Sequence, residues 1–196
     1  MANQIQVTDR TLDKFKTALK GGGVRSNLFE CEINFPQGVN AGADIAESTR
    51  FLVKTAALPG STVGMIPVPF RGRTLKVAGD RAFDSWSITV INDQTFGIRN
   101  AFEKWLSLIN GHNTLNGLVD PAAYQVEMKI TQLGKAPSAN GTFPALRSYK
   151  LWGVWPTMVD PIPVSYDSQD SIQEFNVQLE MQYWEALDPN DTVVVS

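Results

Sequence analysis

The sequence predicts a mainly β protein of the α+β class, in which an antiparallel sandwich or barrel carries one long helix packed outside. In several segments apolar and polar side chains alternate with the period of a β-strand that has one buried face and one solvent-exposed face. One long segment instead repeats its apolar residues with the period of a helix. The 196 residues also suffice for one ordinary domain that buries its own core.

The first third of the chain is predicted to begin with a short helix over 8–19, which three consecutive glycines end. A strand follows over 28–35. The polar, small-residue segment over 36–48 is predicted to be a loop longer than most connections. Side chains then alternate over 51–57, which predicts a second strand.

A β-hairpin is predicted over 64–77, with its turn at Arg71-Gly72-Arg73. Pro67 and Pro69 stand two residues apart, so both missing N–H groups fall on the same edge of the first hairpin strand. That edge cannot build a regular ladder, and strand pairing is therefore expected on the opposite edge.

The segment over 77–110 combines one clear strand with one clear helix and carries no obvious chemistry. The strand starts at Phe83 and alternates through Trp86 and its neighbours. Asp93 is the predicted N-cap of the helix, and Gly111 can end it. The apolar side of this helix is formed by Ile98, Phe102, Trp105, Leu106 and Ile109. The spacing predicts a helix that covers a sheet.

The last third is predicted to be strands joined by loops. A loop over 110–123 leads to a strand over 124–131, and a loop over 134–144 leads to a strand over 146–155. The terminal strand over 172–185 alternates most regularly. Strands with one buried face and one solvent-exposed face are typical of antiparallel sheets.

Charge is divided unevenly along the chain. From Leu151 onward there is no Lys or Arg, and eight carboxylates give this segment a charge of −8, while the remainder carries +5. Surfaces of opposite sign would suit a molecule that meets copies of itself, although the acidic residues could equally form a solvated face. No apolar run is long enough for a membrane span and the N-terminus lacks a secretory signal, so the chain is expected to be soluble and made in a cytoplasm.

Catalytic and metal-binding patterns are weak, and no cofactor or metal is expected. The single histidine, His112, follows a helix end, where imidazoles more often meet solvent or the helix dipole. The lone Cys31 shares a strand face with apolar residues and is expected to be buried. Carboxylates that could serve a hydrolase are Asp80, Asp84, Asp93 and Glu103. Their positions suit a turn, a strand start, a cap and a helix surface better.

The candidate binding surface is the basic cluster of Arg71, Arg73, Lys76 and Arg81. It could contact nucleic-acid phosphates, dock onto an acidic neighbour, or be a solvated hairpin tip. The absence of interleaved aromatic residues and the sequence pI of about 5.2 argue against a dedicated nucleic-acid binder.

Several blocks of sequence resemble those of a known protein family. They are LPG at 58–60, VPFRGRTLKVAGDRAFDSW from Val68, VINDQTFGIRNAFEKW from Val90, LWGVWPTMV at 151–159 and IQEFNVQLEMQYWE at 172–185. In this order, and over roughly 27–185, the chain resembles the tail tube proteins of contractile-tailed bacteriophages. The resemblance implies residues 24–185 as the tail-tube β domain. Residues 1–23 are expected to form a helical arm, and residues 186–196, beyond the resemblance, a C-terminal extension.

The same resemblance implies a structural virion protein without enzymatic activity. Six subunits would form a ring whose sheets join into one inner barrel, and stacked rings would form a hollow tube through which DNA passes without specific binding. Its partners would be itself, the tail sheath protein, the baseplate and the tail terminator. A similar alternative is the tube of a contractile injection or type VI secretion system, which carries effector proteins.

Two sets of residues are candidates for these roles. A neutral or acidic wall lets DNA pass, and the polar face of the last strand is predicted to line the lumen through Asn176, Gln178, Glu180 and Gln182. Subunit contacts are predicted for the basic cluster and for Asp44 and Glu47 in the 36–48 segment. Thr192–Val195 could pair with a neighbouring subunit or be a disordered end.

Two other classes of function remain open from the residues alone. A monomeric nucleic-acid-binding β-module would bind DNA in a salt-sensitive way and form no rings. A carboxylate hydrolase would need Asp80, Asp84 or Glu103 to converge in a cleft.

Overall fold

The architecture is given by a computed structural model of the chain, which describes residues 11–114, 116–136 and 141–195. Its strands are β1 (Phe29–Ile33), β2 (Val53–Ala56), β3 (Ser61–Phe70), β4 (Arg73–Phe83), β5 (Trp86–Ile91), β6 (Val126–Leu133), β7 (Ala145–Val159), β8 (Glu174–Glu180), β9 (Tyr183–Leu187) and β10 (Val193–Val195). Its helices are α1 (Leu12–Ala18), α2 (Ala43–Leu52), α3 (Gly97–Ile109) and α4 (Pro121–Tyr124). Every strand pair is antiparallel, so the predicted fold class is confirmed.

The long strand β7 joins the two halves of the main sheet. Residues 145–154 pair with β6 on one side, and residues 148–152 pair with β9 on the other, which forms a five-stranded half with β1 and β10. Residues 155–159 pair instead with β8, which forms a four-stranded half with β5 and β2. Gly153, with a φ of 60°, stands where β7 passes from one half to the other.

One hydrophobic core lies between the sheet and α3. On the four-stranded half, Trp86, Ile88 and Val90 of β5 are buried directly opposite Leu179 and its apolar neighbours in β8. α3 contributes four buried side chains, namely Ile98, Ala101, Phe102 and Trp105. Each large side chain removed from water in this way stabilises the fold by about 1.5–3 kcal/mol. The predicted helix that covers a sheet is confirmed.

The loop predicted over 36–48 is wrong in its second half, because α2 begins at Ala43 and takes in the start of the predicted 51–57 strand. This helix packs on β1 through the buried Thr49, whose hydroxyl oxygen accepts from the Ile33 amide at 3.4 Å. Arg50 adds ion pairs to Glu30 and Glu32. Tertiary contacts therefore stabilise a helix whose small and polar residues are typical of a loop.

The start of α3 also differs from the prediction. Gly97 is the first helical residue, and Phe96 before it adopts a left-handed conformation with a φ of 54°. Asp93 is thus not the N-cap residue, but its Oδ1 accepts a hydrogen bond from the Gly97 amide at 3.1 Å. The carboxylate serves the helix N-terminus from four residues upstream.

The first helix and the strands predicted over 28–35, 124–131 and 146–155 are confirmed with shifted bounds, and the strand predicted from Phe83 begins at Trp86 because Phe83 ends β4. Residues 8–10 of the predicted first helix lie outside the described part, as do 137–140 of a predicted loop. Tyr124 belongs to α4 and not to the following strand. At the C-terminus, Val193–Val195 forms β10, which pairs with β9 of its own chain.

Candidate assembly surfaces

A line of hydrogen-bonded polar side chains crosses the four-stranded half on the face opposite the core. Thr55 of β2 donates to the hydroxyl of Thr89 in β5 at 2.8 Å, and Thr89 donates to Asn176 Oδ1 in β8 at 2.8 Å. Asn176 Nδ2 in turn donates to Asp160 Oδ2, just beyond β7, at 3.0 Å. We call these four residues the polar ladder. They share one face because Thr55, Thr89 and Asn176 lie directly opposite one another across the strands, and the Asp160 amide donates to the Asn176 carbonyl.

Two more predicted lumen residues lie on the same strand face. Gln178 donates to the hydroxyl of Ser85 at 3.1 Å, and Glu180 is half-buried opposite Trp155. The basic side chain at the margin of this face, Lys54, is neutralised by Glu174 at 2.5 Å. Its described side chains therefore carry a net negative charge.

Gln182 does not share this face. The predicted strand over 172–185 is wrong at Met181 and Gln182, where the chain bends between β8 and β9. The backbone amide of Gln182 donates to the Trp152 carbonyl at 2.9 Å, and the side chain of Gln182 covers Gly153. The sequence does not reveal this bend, because the alternation of residues continues through it.

The predicted hairpin is longer than expected, with 10 residues in β3 and 11 in β4. Arg71 and Gly72 have positive φ values of 44° and 79°, as a two-residue type I′ turn requires. Pro67 lies opposite Lys76, and Pro69 lies opposite Thr74. Counting from the turn, both prolines occupy positions without ladder hydrogen bonds, so the prediction that β3 pairs on its other edge is confirmed.

The basic cluster is spread along this hairpin. Arg71, Arg73 and Lys76 lie at or near the tip, whereas Arg81 lies eight residues from Arg73 along β4, roughly 26 Å away. All four side chains are exposed, and none forms an ion pair with another residue that the structure describes. The structure thus brings three of the four together.

The other predicted contact residues, Asp44 and Glu47, lie on α2. Asp44 is exposed in its first turn, and Glu47 is exposed one turn later. The structure therefore places both residues on a helix packed against β1, where the sequence predicted a loop.

Residues considered for catalysis serve local structure. Asp84 accepts a long 3.5 Å hydrogen bond from Thr62, and Glu103 pairs with Arg99 of its own helix at 2.8 Å. The Thr95 hydroxyl, followed by the Gly97 amide, holds the pKa of the Asp93 carboxyl below its ordinary value. In the ranges that are described, no three His, Cys, Asp or Glu side chains are grouped to hold a metal ion. No helix of those ranges is long and apolar enough to span a membrane.

A family model and individual relatives both match this chain to tail tube proteins. The family model described as "Phage tail tube protein" matches residues 24–187. The tail tube protein gp19 of Enterobacteria phage T4 is 34% identical over 166 residues, which cover 84% of this chain and 93% of the relative. The tail tube protein of Serratia phage KSP90 is 30% identical over 179 residues, which cover 90% of this chain and 96% of the relative.

Comparison with solved structures shows that chains of other contractile assemblies have a similar fold. A chain of the anti-feeding prophage baseplate matches with a TM-score of 0.60 at 12% identity, covering 84% of this chain and 95% of its own. A chain of the sheath–tube complex of the PVC extracellular contractile injection system matches with a TM-score of 0.53 at 12% identity, covering 88% and 97%.

The family match covers most of the chain, and two curated relatives align over nearly their whole length. Members of this family are structural components of the virion, so the predictions of a virion protein and of no enzymatic activity are confirmed. The chain belongs to the phage tail tube protein family.

Proposed function

We propose that this tail tube protein assembles into six-subunit rings, and that stacked rings form the hollow conduit through which DNA is ejected. The observation that carries the proposal is the polar ladder on a sheet with two open edges. Among the described strands, β2 pairs only with β5, and residues 155–159 of β7 pair only with β8. Open edges present unpaired backbone groups, and edge-to-edge joining of identical subunits in a closed ring satisfies them.

In such a ring the polar ladder faces the lumen, together with Gln178 and Glu180. Neutral hydrogen-bonding side chains and carboxylates make no counterion-releasing contacts with phosphates, so they leave DNA free to slide. The opposite, apolar face of the same half is covered by the core and α3. Only the polar face is available to line a channel.

The remaining candidate contacts belong to this assembly. Arg71, Arg73, Lys76 and Arg81 on the hairpin, and Asp44 and Glu47 on α2, carry exposed charges suited to contacts between subunits. The matched structures include a baseplate and a sheath–tube complex. We extend these associations to the present chain and assign it the sheath, the baseplate and the tail terminator as partners.

A tube of a contractile injection device is the second candidate. The structural likeness to injection-system chains favours it, but at 12% identity that likeness concerns the fold alone. The relatives at 30–34% identity are phage proteins, which favours DNA as the cargo.

Negative-stain electron microscopy and sedimentation of the purified protein over a range of concentrations test the proposal. We expect six-fold rings and hollow tubes that increase with concentration. A strictly monomeric protein that binds duplex DNA would contradict it and favour a nucleic-acid-binding module.

A further inference from the structure

The two halves of the sheet differ in how their outermost strands end. In the part of the chain that the structure describes, both edges of the four-stranded half are open, at β2 and at residues 155–159 of β7. In the five-stranded half, α2 lies along β1, and residues 188–195, which we call the C-terminal segment, return along β9. This difference matters for assembly, because an open edge can pair with another copy of the chain.

On one side of the five-stranded half, α2 closes the edge of β1. The Leu133 amide donates to the Leu28 carbonyl at 2.8 Å, so the alternation along the strand turns the Ile33 amide away from β6. That amide donates instead to the hydroxyl of the buried Thr49 in α2, at 3.4 Å. A strand from another copy could reach this amide only by displacing α2.

On the other side, the C-terminal segment closes the edge of β9. The chain turns back at Asp188, whose amide donates to the Thr192 carbonyl at 2.9 Å. Asp188 Oδ1 fixes the turn by accepting the amides of Asn190 and Thr192 at 2.9 and 2.8 Å. β10 then runs antiparallel to β9, with Val193 opposite Leu187, which is only 6% exposed.

An ion pair also fastens the C-terminal segment to the outward face of the sheet. Asp191 pairs with Lys129 of β6 at 2.7 Å, although β7 lies between β6 and β9. Both side chains are partly exposed, so solvent screens the attraction. The pair therefore orients the segment more than it stabilises it.

β10 does not replace one open edge by an equivalent one. It has three residues against five in β9, and its pairing slips between Val193 and Val195. Short or bulged edge strands are poor templates for another strand. The family match ends at Leu187, so β10 is an addition to the matched fold.

We propose that the C-terminal segment is an edge cover, which prevents β9 from pairing with a second copy of this chain. Edge-to-edge assembly is then confined to the four-stranded half. This inference rests on the proposed function, because it gives a reason why only one half of the sheet takes part in ring closure. The cover acts through backbone pairing with β9.

The exposed valines offer a competing explanation. Val193, Val194 and Val195 are 48%, 56% and 40% exposed, and an exposed apolar patch could bind another protein. A docking surface needs those apolar side chains, whereas an edge cover needs only a backbone that favours the strand conformation. Threonine separates the two explanations, because it keeps the β-branched shape and the strand preference of valine.

Two variants remove the edge cover. One is a chain that ends after Leu187. The other keeps the full length and carries Asp188→Ala with Asp191→Ala, which removes the acceptor that fixes the turn and the ion pair with Lys129. Thermal melting establishes that each variant is folded.

Two further variants serve as controls. The matched control keeps the backbone of β10 and changes its side chains by Val193→Thr, Val194→Thr and Val195→Thr. The second control adds Leu187→Thr to the shortened chain. It separates the effect of an open strand edge from the effect of a newly exposed leucine.

We expect both cover-deficient variants to form rings and tubes, and also to form irregular aggregates at a protein concentration about tenfold lower than the wild type needs. The reason is that backbone hydrogen bonds can form between copies along the uncovered β9. The threonine control should assemble like the wild type, and Leu187→Thr should not prevent aggregation of the shortened chain. Sedimentation velocity and negative-stain electron microscopy measure the fraction of protein in each species.

Folded cover-deficient variants that assemble like the wild type would overturn this inference. A threonine control that aggregates as they do would overturn it too, and so would aggregation that Leu187→Thr abolishes. If the shortened chain fails to fold, the full-length alanine variant decides. These outcomes leave the rings, and hence the proposed function, intact. Wild-type protein that never forms rings would instead overturn the proposed function, while aggregation of the cover-deficient subunits would still support the edge cover.

Discussion

Gln182 lies directly over Gly153 at the point where β7 passes from one half of the sheet to the other. A Cβ atom at Gly153 would stand 2.6 Å from Gln182 Cγ and 3.1 Å from Gln125 Oε1. The backbone of Gly153 also has a φ of 60°, which L side chains rarely adopt. The bend that separates the two halves thus needs a residue without a side chain.

We expect Gly153→Ala to lower the free energy of unfolding by about 2–3 kcal/mol, through backbone strain and the contact with Gln182. Gly72→Ala is the matched control, because Gly72 has a φ of 79° but a Cβ atom there would meet nothing within 4 Å. It should cost about 1 kcal/mol, from strain alone. Urea denaturation measures both, and equal losses would contradict the steric role of Gln182.

A positive charge on the polar face should make the tube retain DNA. Gln178→Lys places one lysine per subunit beside the polar ladder, and lysines that contact phosphates release counterions. We expect assembled tubes of this variant to bind duplex DNA at least about tenfold more tightly than wild-type tubes at low salt, with the difference lost at high salt. Cosedimentation with labelled DNA measures the binding.

The control for this prediction is Asn100→Lys, which adds the same charge on the exposed side of α3. It should leave DNA binding to the tube interior unchanged. Equal retention of DNA by both variants would show that the polar face has no special access to the channel.

The Asp93 carboxylate should stabilise the protein only when it is ionised. Its pKa lies below the ordinary value of 3.8, so this contribution is complete above that pH and is lost as the pH falls through the lower, folded-state pKa. Asp93→Ala should cost about 1 kcal/mol at neutral pH, as the loss of a helix-terminal acceptor does. It should also lessen the dependence of stability on pH below 3.8, measured by urea denaturation. Asp84→Ala, which removes only a 3.5 Å contact, serves as the control.

Cys31 should resist thiol reagents in the native protein. Burial, followed by the nearby Glu32 and Glu30 carboxylates, raises the pKa of its thiol from 9.0 to about 12. Ellman's reagent at pH 8 should therefore react only after denaturation. Because the unfolded thiol ionises first, stability should also fall as the pH rises from 9.0 towards about 12, and Cys31→Ser should remove that component. Rapid labelling of the native protein would contradict the burial.

The sequence alone predicted the elements whose local pattern of apolar and polar residues matches their burial in the fold. The alternation around Trp86, the stripe from Ile98 to Trp105 and the turn at Gly72 each follow from steric and solvation preferences of a few neighbouring residues. α2 was missed because its interior contact is the hydroxyl of Thr49, which a search for apolar periodicity passes over. Its weak signal was the spacing of Ile45, Thr49 and Leu52.

Part of each candidate surface was also predictable from the sequence alone. The sequence identified Asn176, Gln178 and Glu180 as one polar strand face and Arg71, Arg73 and Lys76 as a basic group, because strand period and turn chemistry are local. It also carried the family resemblance, since ordered blocks of residues survive in relatives at 30–34% identity.

Only the tertiary structure decided which residues meet across the chain. Strand register joined Thr55 to Thr89 and Asn176 in the polar ladder. The physical reason is that pairing between strands distant in sequence depends on the packing of the whole core. A one-residue slip in register preserves every local pattern and moves every side chain to the other face.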